Sequence, residues 1–153
     1  MPNTDFGSLV CNMKQQVQQG ENTLRSAAGN WRTLFSNEDR DGSLRMTETR
    51  IYVGLNDAES REQKFDTQKY LGLLKNICRS HHVAFSVDIE EGGYFHEDGE
   101  YTEETSLILI LINADRDLVQ EISKDLCTIF RQESVLVTED QITGRFVHGE
   151  ALE

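Results

Sequence analysis

Leu107-Ile108-Leu109-Ile110-Leu111-Ile112 is the longest apolar run in the chain, six residues without a polar break. A strand that is apolar at every position keeps both of its faces from water, which places it inside a sheet with cover on both sides. Upstream, Val83, Phe85, Val87 and Ile89 alternate with Ala84, Ser86 and Asp88, the period of a half-buried strand. Before that, Phe65, Tyr70, Leu71, Leu74, Ile77 and Cys78 give a helix with a broad apolar face over residues 65–79. From Thr47 onward, Ile51, Val53 and Leu55 alternate with Tyr52 and Gly54, a further strand. Downstream, Leu118, Val119, Ile122, Leu126, Ile129 and Phe130 form a second helical stripe. Val135 and Val137 open a closing strand, and residues 142–147 add a short one.

The order is therefore β-α-β-β-α-β. It predicts an α+β fold of the ferredoxin-like type, with both helices on one face of an antiparallel sheet and strands one and three central. Two helical stripes precede it. Phe6, Leu9, Val10, Met13 and Val17 make one, and Leu24, Ala27, Ala28, Trp31, Leu34 and Phe35 make the other. Neither buries its stripe alone, so these helices or a second copy of the chain are the candidates to cover the helix-free face of the sheet. The expected domains are a helical appendage over residues 1–46, the ferredoxin-like domain over 47–150 and a short tail over 151–153.

Composition narrows the function classes. The net charge of −12 is uneven, with six Lys/Arg against six Asp/Glu in residues 1–50 and nine against twenty-one in residues 51–153. Such a surface repels phosphate backbones and anionic lipid, which argues against nucleic-acid and membrane partners. No apolar run approaches the ~18 residues of a membrane helix. No basic segment followed by an apolar one opens the chain, and three widely spaced cysteines suit reduced thiols, so a cytoplasmic location is expected.

Three constellations invite a chemical reading. Asn37, Asp39, Asp41, Gly42, Leu44 and Glu48 have the spacing of a calcium EF-hand loop. Yet Asn stands at its first position, Arg45 at its ninth, and a strand follows it, so a hydrophilic turn is the expectation. Cys78, His81 and His82 end the first helix without a second cysteine pair to complete a metal site, and none is expected. Residues 88–104 hold eight carboxylates and no Lys or Arg, with Gly92, Gly93 and Gly99 around Tyr94, Phe95 and His96. That stretch reads either as a long hairpin projecting an acidic surface tipped by Tyr94 and Phe95 for recognition or as a solvated loop between strands two and three, and mobility in the free protein is expected. There is no Walker loop, dinucleotide glycine loop or nucleophile elbow, so no cofactor and no catalytic residue is assigned.

Two resemblances follow from the element order. Val135-Leu136-Val137-Thr138-Glu139-Asp140-Gln141-Ile142, with Arg145 and Gly149-Glu150, resembles the closing strand of PII-like signalling proteins. Those are trimeric ferredoxin-like sensors with a long loop after strand two and a glycine- and lysine-bearing nucleotide loop before the last strand. Here Arg131-Gln132-Glu133 takes that place. Over about residues 50–147, Tyr52-Val53-Gly54-Leu55, Glu104 and Gln132-Glu133-Ser134-Val135-Leu136 are similar to a family of small bacterial domains of unknown function. The resemblances add Glu104 and Gln132 to Tyr94 and Phe95 as candidate binding residues. The function expected is a non-enzymatic bacterial binding or regulatory module. It self-associates through its sheet or binds an unidentified protein, with the acidic hairpin as its recognition surface. The alternatives are a small enzyme with a pocket between sheet and hairpin, or an acidic mimic of nucleic acid.

Overall fold

The computed structural model describes residues 42–150, and both N-terminal helical stripes, with Asn37, Asp39 and Asp41, lie outside them. Six elements follow one another: β1 (Leu44–Gly54), α1 (Thr67–Ser80), β2 (Ser86–Phe95), β3 (Tyr101–Ile112), α2 (Arg116–Ile129) and β4 (Leu136–Gly144). The strands form one antiparallel sheet in the order β2-β3-β1-β4, so strands one and three are central. This is the ferredoxin-like arrangement.

Side-chain alternation explains the core. Ile51 pairs with Leu109 and Val53 with Leu107, which puts these residues on one face together with Leu111, Val87 and Ile89. That face meets Tyr70, Leu74, Ile77 and Cys78 of α1 and Val119, Ile122 and Leu126 of α2. Ile108, Ile110 and Ile112 point to the opposite face and are also buried, at 1%, 5% and 0% exposure. The reading of β3 as buried on both faces therefore holds. On the helix-free face Ile112 clusters with Met46, Leu44, Ile142 and Phe146.

Both helices begin on an aspartate cap. The Asp66 carboxylate accepts from the Lys69 amide at 2.9 Å, and Asp115 accepts from the Asp117 amide at 3.4 Å. Both end in a Schellman motif without glycine, with His82 (φ 52°) and Arg131 (φ 53°) in the left-handed region. In the second, the Gln132 amide donates to the Cys127 carbonyl at 2.9 Å and the Arg131 amide to that of Thr128 at 3.4 Å. His81 links the two helices through Nε2 to the Asp125 carboxylate at 2.7 Å.

Several expectations are corrected. β1 starts at Leu44, inside the stretch assigned to the appendage, because Leu44 and Met46 continue the period-two pattern toward β4. Residues 142–144 belong to β4 itself, since its register on β1 runs unbroken from Leu136↔Tyr52 to Gly144↔Leu44. β2 begins at Ser86, later than the alternation suggested, because the helix-ending turn consumes Val83, whose amide donates to the Cys78 carbonyl at 3.2 Å. Of the two readings of the acidic stretch, the structure has the long hairpin and not the solvated loop. β2 and β3 pair out to Phe95↔Tyr101, and only residues 96–100 turn, closed by the His96 amide donating to the Glu100 carbonyl at 2.9 Å.

Candidate functional site

Three of the four candidate residues meet on one face of the outer half of the hairpin. Tyr94, Glu104 and Gln132 line one open cleft of about 490 Å³, together with Asn56, Asp57, Ala58, Arg61, His96, Glu133 and Ser134. Phe95 does not join them. It projects from the opposite face of the hairpin, 73% exposed, with its ring centroid 5.2 Å from that of Tyr101.

Each wall has a local cause. The β2–β3 register sets Gly92 opposite Glu104 and Tyr94 opposite Thr102, so Tyr94 and Glu104 share the helix-free face. The Glu104 carboxylate lies over Gly54 in the neighbouring strand, where an added Cβ would come within 2.5 Å of it. A side chain at position 54 would displace the carboxylate, which is the physical reason for glycine there. Glu104 Oε2 accepts from the Asn56 amide at 3.0 Å, and Asn56 Nδ2 donates to the Glu103 carbonyl at 3.1 Å. Asn56 and Glu104 thereby lock the end of β1 to the hairpin.

Gln132 closes the far side. The Schellman turn of α2 aims its side chain back across the sheet, where Nε2 donates to the Asn56 carbonyl at 2.5 Å. Its amide nitrogen is engaged in that bond, so Gln132 holds the cleft together. His96 completes the hairpin wall, with Nε2 2.9 Å from Thr102 Oγ1 and its ring edge-on to Tyr94 at 4.9 Å between centroids.

The floor is the loop after β1. Asp57 is 3% exposed, and its Oδ1 accepts from the amides of Glu59 at 3.0 Å and Ser60 at 3.1 Å. Its Oδ2 lies 3.1 Å from Arg131 Nε and 3.4 Å from Lys64 Nζ but makes no well-aligned hydrogen bond. The Ser60 amide most of all, then that of Glu59 and the charges of Arg131 and Lys64, holds the Asp57 carboxyl below its ordinary value against the opposing effect of burial.

The other constellations are occupied otherwise. Glu48 lies in β1 and pairs with Arg50 Nε at 2.7 Å, an interaction that raises the Arg50 pKa. The calcium-like spacing thus runs into a strand at its second half. Burial pushes the Cys78 thiol up to about 12, which leaves it an inert packing group. Among the described residues no cluster of three or more His, Cys, Asp or Glu could hold a metal ion, and no helix is long and apolar enough to cross a membrane. A larger groove of about 840 Å³ runs between α2 and β4, lined by Val119, Cys127, Val135 and Val137 with Arg116 and Lys124.

Asn56, Asp57, Arg61 and His96 were not selected from sequence as site residues. The only signal for the first two was polar residues directly after an apolar strand, and nothing in the sequence shows the left-handed turns that bring Arg61 and Gln132 to the cleft.

No family model matches the chain, and no curated protein matches it. Solved structures do. A phage SAM lyase in complex with S-methyl-5′-thioadenosine matches with TM-score 0.50 and 23% identity, over 63% of this chain and 81% of that one. A phage SAM lyase in its apo state matches with TM-score 0.50 and 22% identity, over 68% and 92%. The divalent ion tolerance protein CutA1 from Ehrlichia chaffeensis matches with TM-score 0.40 and 16% identity, over 62% and 80%. What this chain shares with the phage lyase structures is their fold.

Proposed function

We propose that the cleft binds S-adenosylmethionine and that the chain cleaves it at the sulfonium, releasing S-methyl-5′-thioadenosine. This departs from the non-enzymatic module expected from the sequence and takes up its runner-up, a small enzyme with a pocket between sheet and hairpin. The observation that carries it is the convergence of Glu104, Tyr94 and His96 on one cleft braced by Asn56 and Gln132. A fixed carboxylate beside aromatic rings suits a ligand that joins a cationic centre to a flat base. The phage lyase fold supplies the compound to test; the side chains supply the reason.

The chemistry asks little of the protein. When the bond between sulfur and the four-carbon amino acid fragment breaks, its electron pair stays on sulfur and a neutral thioether leaves. The fragment closes on its own carboxylate, one C–O bond forming as one C–S bond breaks, with no redox partner and no added water. The protein needs to fold the substrate into that geometry and hold the sulfonium, so positioning and electrostatics are the terms that count. Glu104, kept in place by the Asn56 amide and the space above Gly54, is the group for the cation.

The test is product formation. Purified protein with S-adenosylmethionine should release S-methyl-5′-thioadenosine, and Glu104→Gln, which keeps an acceptor for the Asn56 amide, should slow that release by about 10²-fold or more. Absence of release from the folded wild-type protein, or an unchanged rate in Glu104→Gln, contradicts the proposal.

A second reading keeps the hairpin as a protein-recognition surface, through which the chain meets another copy of itself or a different protein. Phe95 and Tyr101, 73% and 53% exposed with their rings in tilted contact, favour it. The two readings use opposite faces of the same hairpin.

A further inference from the structure

The cleft's lining is acidic at Asp57, Glu104 and Glu133, yet it contains one cation, Arg61. Asp57 is already answered by Arg131 and Lys64. The Arg61 side chain makes no hydrogen bond or ion pair among the described residues. Its position is not accidental to a floppy loop. The Arg61 amide donates to the Asp57 carbonyl at 2.8 Å, the Asp57 amide donates to the Glu62 carbonyl at 2.9 Å, and Asn56 and Gln63 bridge the loop's base. Arg61 itself is in the left-handed region (φ 60°), a conformation that disfavours side-chain-bearing residues and persists only where the surroundings impose it.

An exposed guanidinium carried at the rim of an acid-lined cleft by a hydrogen-bonded loop, with no partner among the described residues, can receive a carboxylate. S-adenosylmethionine carries one, at the end of the chain opposite the adenosine. We infer that Arg61 is the specificity-determining residue of the cleft, selecting sulfonium ligands that keep the α-carboxylate over those that lack it. The inference rests on the reading of the cleft given above and extends it to the substrate's amino acid end. Glu104 takes the cationic centre and Arg61 the carboxylate, so the cleft presents opposite charges to the two ends of the same short chain.

Decarboxylated S-adenosylmethionine, which differs from the parent only in that group, is the probe. Calorimetric titrations of the full chain should show tighter binding of S-adenosylmethionine than of the decarboxylated compound, by about ten- to a hundredfold. Arg61→Gln should erase that preference by weakening the parent alone, and Arg61→Lys should restore part of it. Binding of S-methyl-5′-thioadenosine, which has neither charge, should be the same in wild type and Arg61→Gln and reports that the cleft is intact. Equal affinity of the wild-type protein for parent and decarboxylated ligand overturns the role of Arg61 while leaving the cleft reading in place. An Arg61→Gln variant that loses all three ligands equally overturns it too. A wild-type protein that binds none of the three overturns both.

Discussion

The cleft depends on a few residues whose neighbours leave them little freedom. Glu104 is held by the Asn56 amide, Asn56 by Glu103 and Gln132, and Gln132 by the turn that ends α2. Asp57 plays the same part for the floor. Its carboxyl lies below its ordinary value of 3.8 in the folded chain, so the unfolded state binds a proton more readily. The stability this provides is complete above that ordinary value and fades as pH falls through the lower folded-state value. Asp57→Asn should therefore remove part of the acid sensitivity. Urea midpoints measured down the acid range should fall less steeply for the variant than for wild type. Parallel curves for the two proteins would mean that Asp57 does not couple folding to protons. Of these residues, Glu104 and Gln132 were legible in the sequence as points of resemblance and Tyr94 as an aromatic in an acidic stretch. Arg61 was not, because Asn56, Asp57 and Ser60 mark a turn but not the left-handed conformation at its end that carries Arg61 to the cleft.

At the scale of elements, periodicity was informative where one face is buried and silent where neither is. β3 reads correctly from Leu107 to Ile112 because six apolar side chains leave no other interpretation, and the structure buries all six. Its first half, Tyr101 to Ser106, and the second half of β2 are exposed or half-exposed and polar, so no hydrophobic pattern marked them as strand. Backbone pairing alone extends the hairpin there, where the sequence leaves a hairpin and a solvated loop both open. Likewise the Ile129 side chain, counted in the apolar stripe of α2, is 46% exposed beside the helix end. The helix-free face offers a direct check on β3. Ile110 is 5% exposed between Arg50 and Ser86, so Ile110→Ala should destabilise the fold by about 2–5 kcal/mol, read from denaturant midpoints. A loss under about 0.5 kcal/mol, the range of surface substitutions, would place that face in water.

On the scale of the whole molecule, the hairpin divides two surfaces with different chemistry. One carries Tyr94, His96 and Glu104 into the cleft; the other carries Phe95 and Tyr101. A third surface, the α2–β4 groove, is larger and more apolar, and it lies apart from the residues that converge. The central claim is that an adenosyl sulfonium occupies the first of these and not the third. It is tested most directly by amide chemical-shift mapping of the isotope-labelled chain during titration with S-adenosylmethionine. Shifts should concentrate at Asn56, Asp57, Arg61, Tyr94, His96, Glu104 and Gln132, with Val119, Cys127 and Val137 unmoved. Saturable shifts confined to the α2–β4 groove, or no shifts at any titrated concentration, would contradict the account.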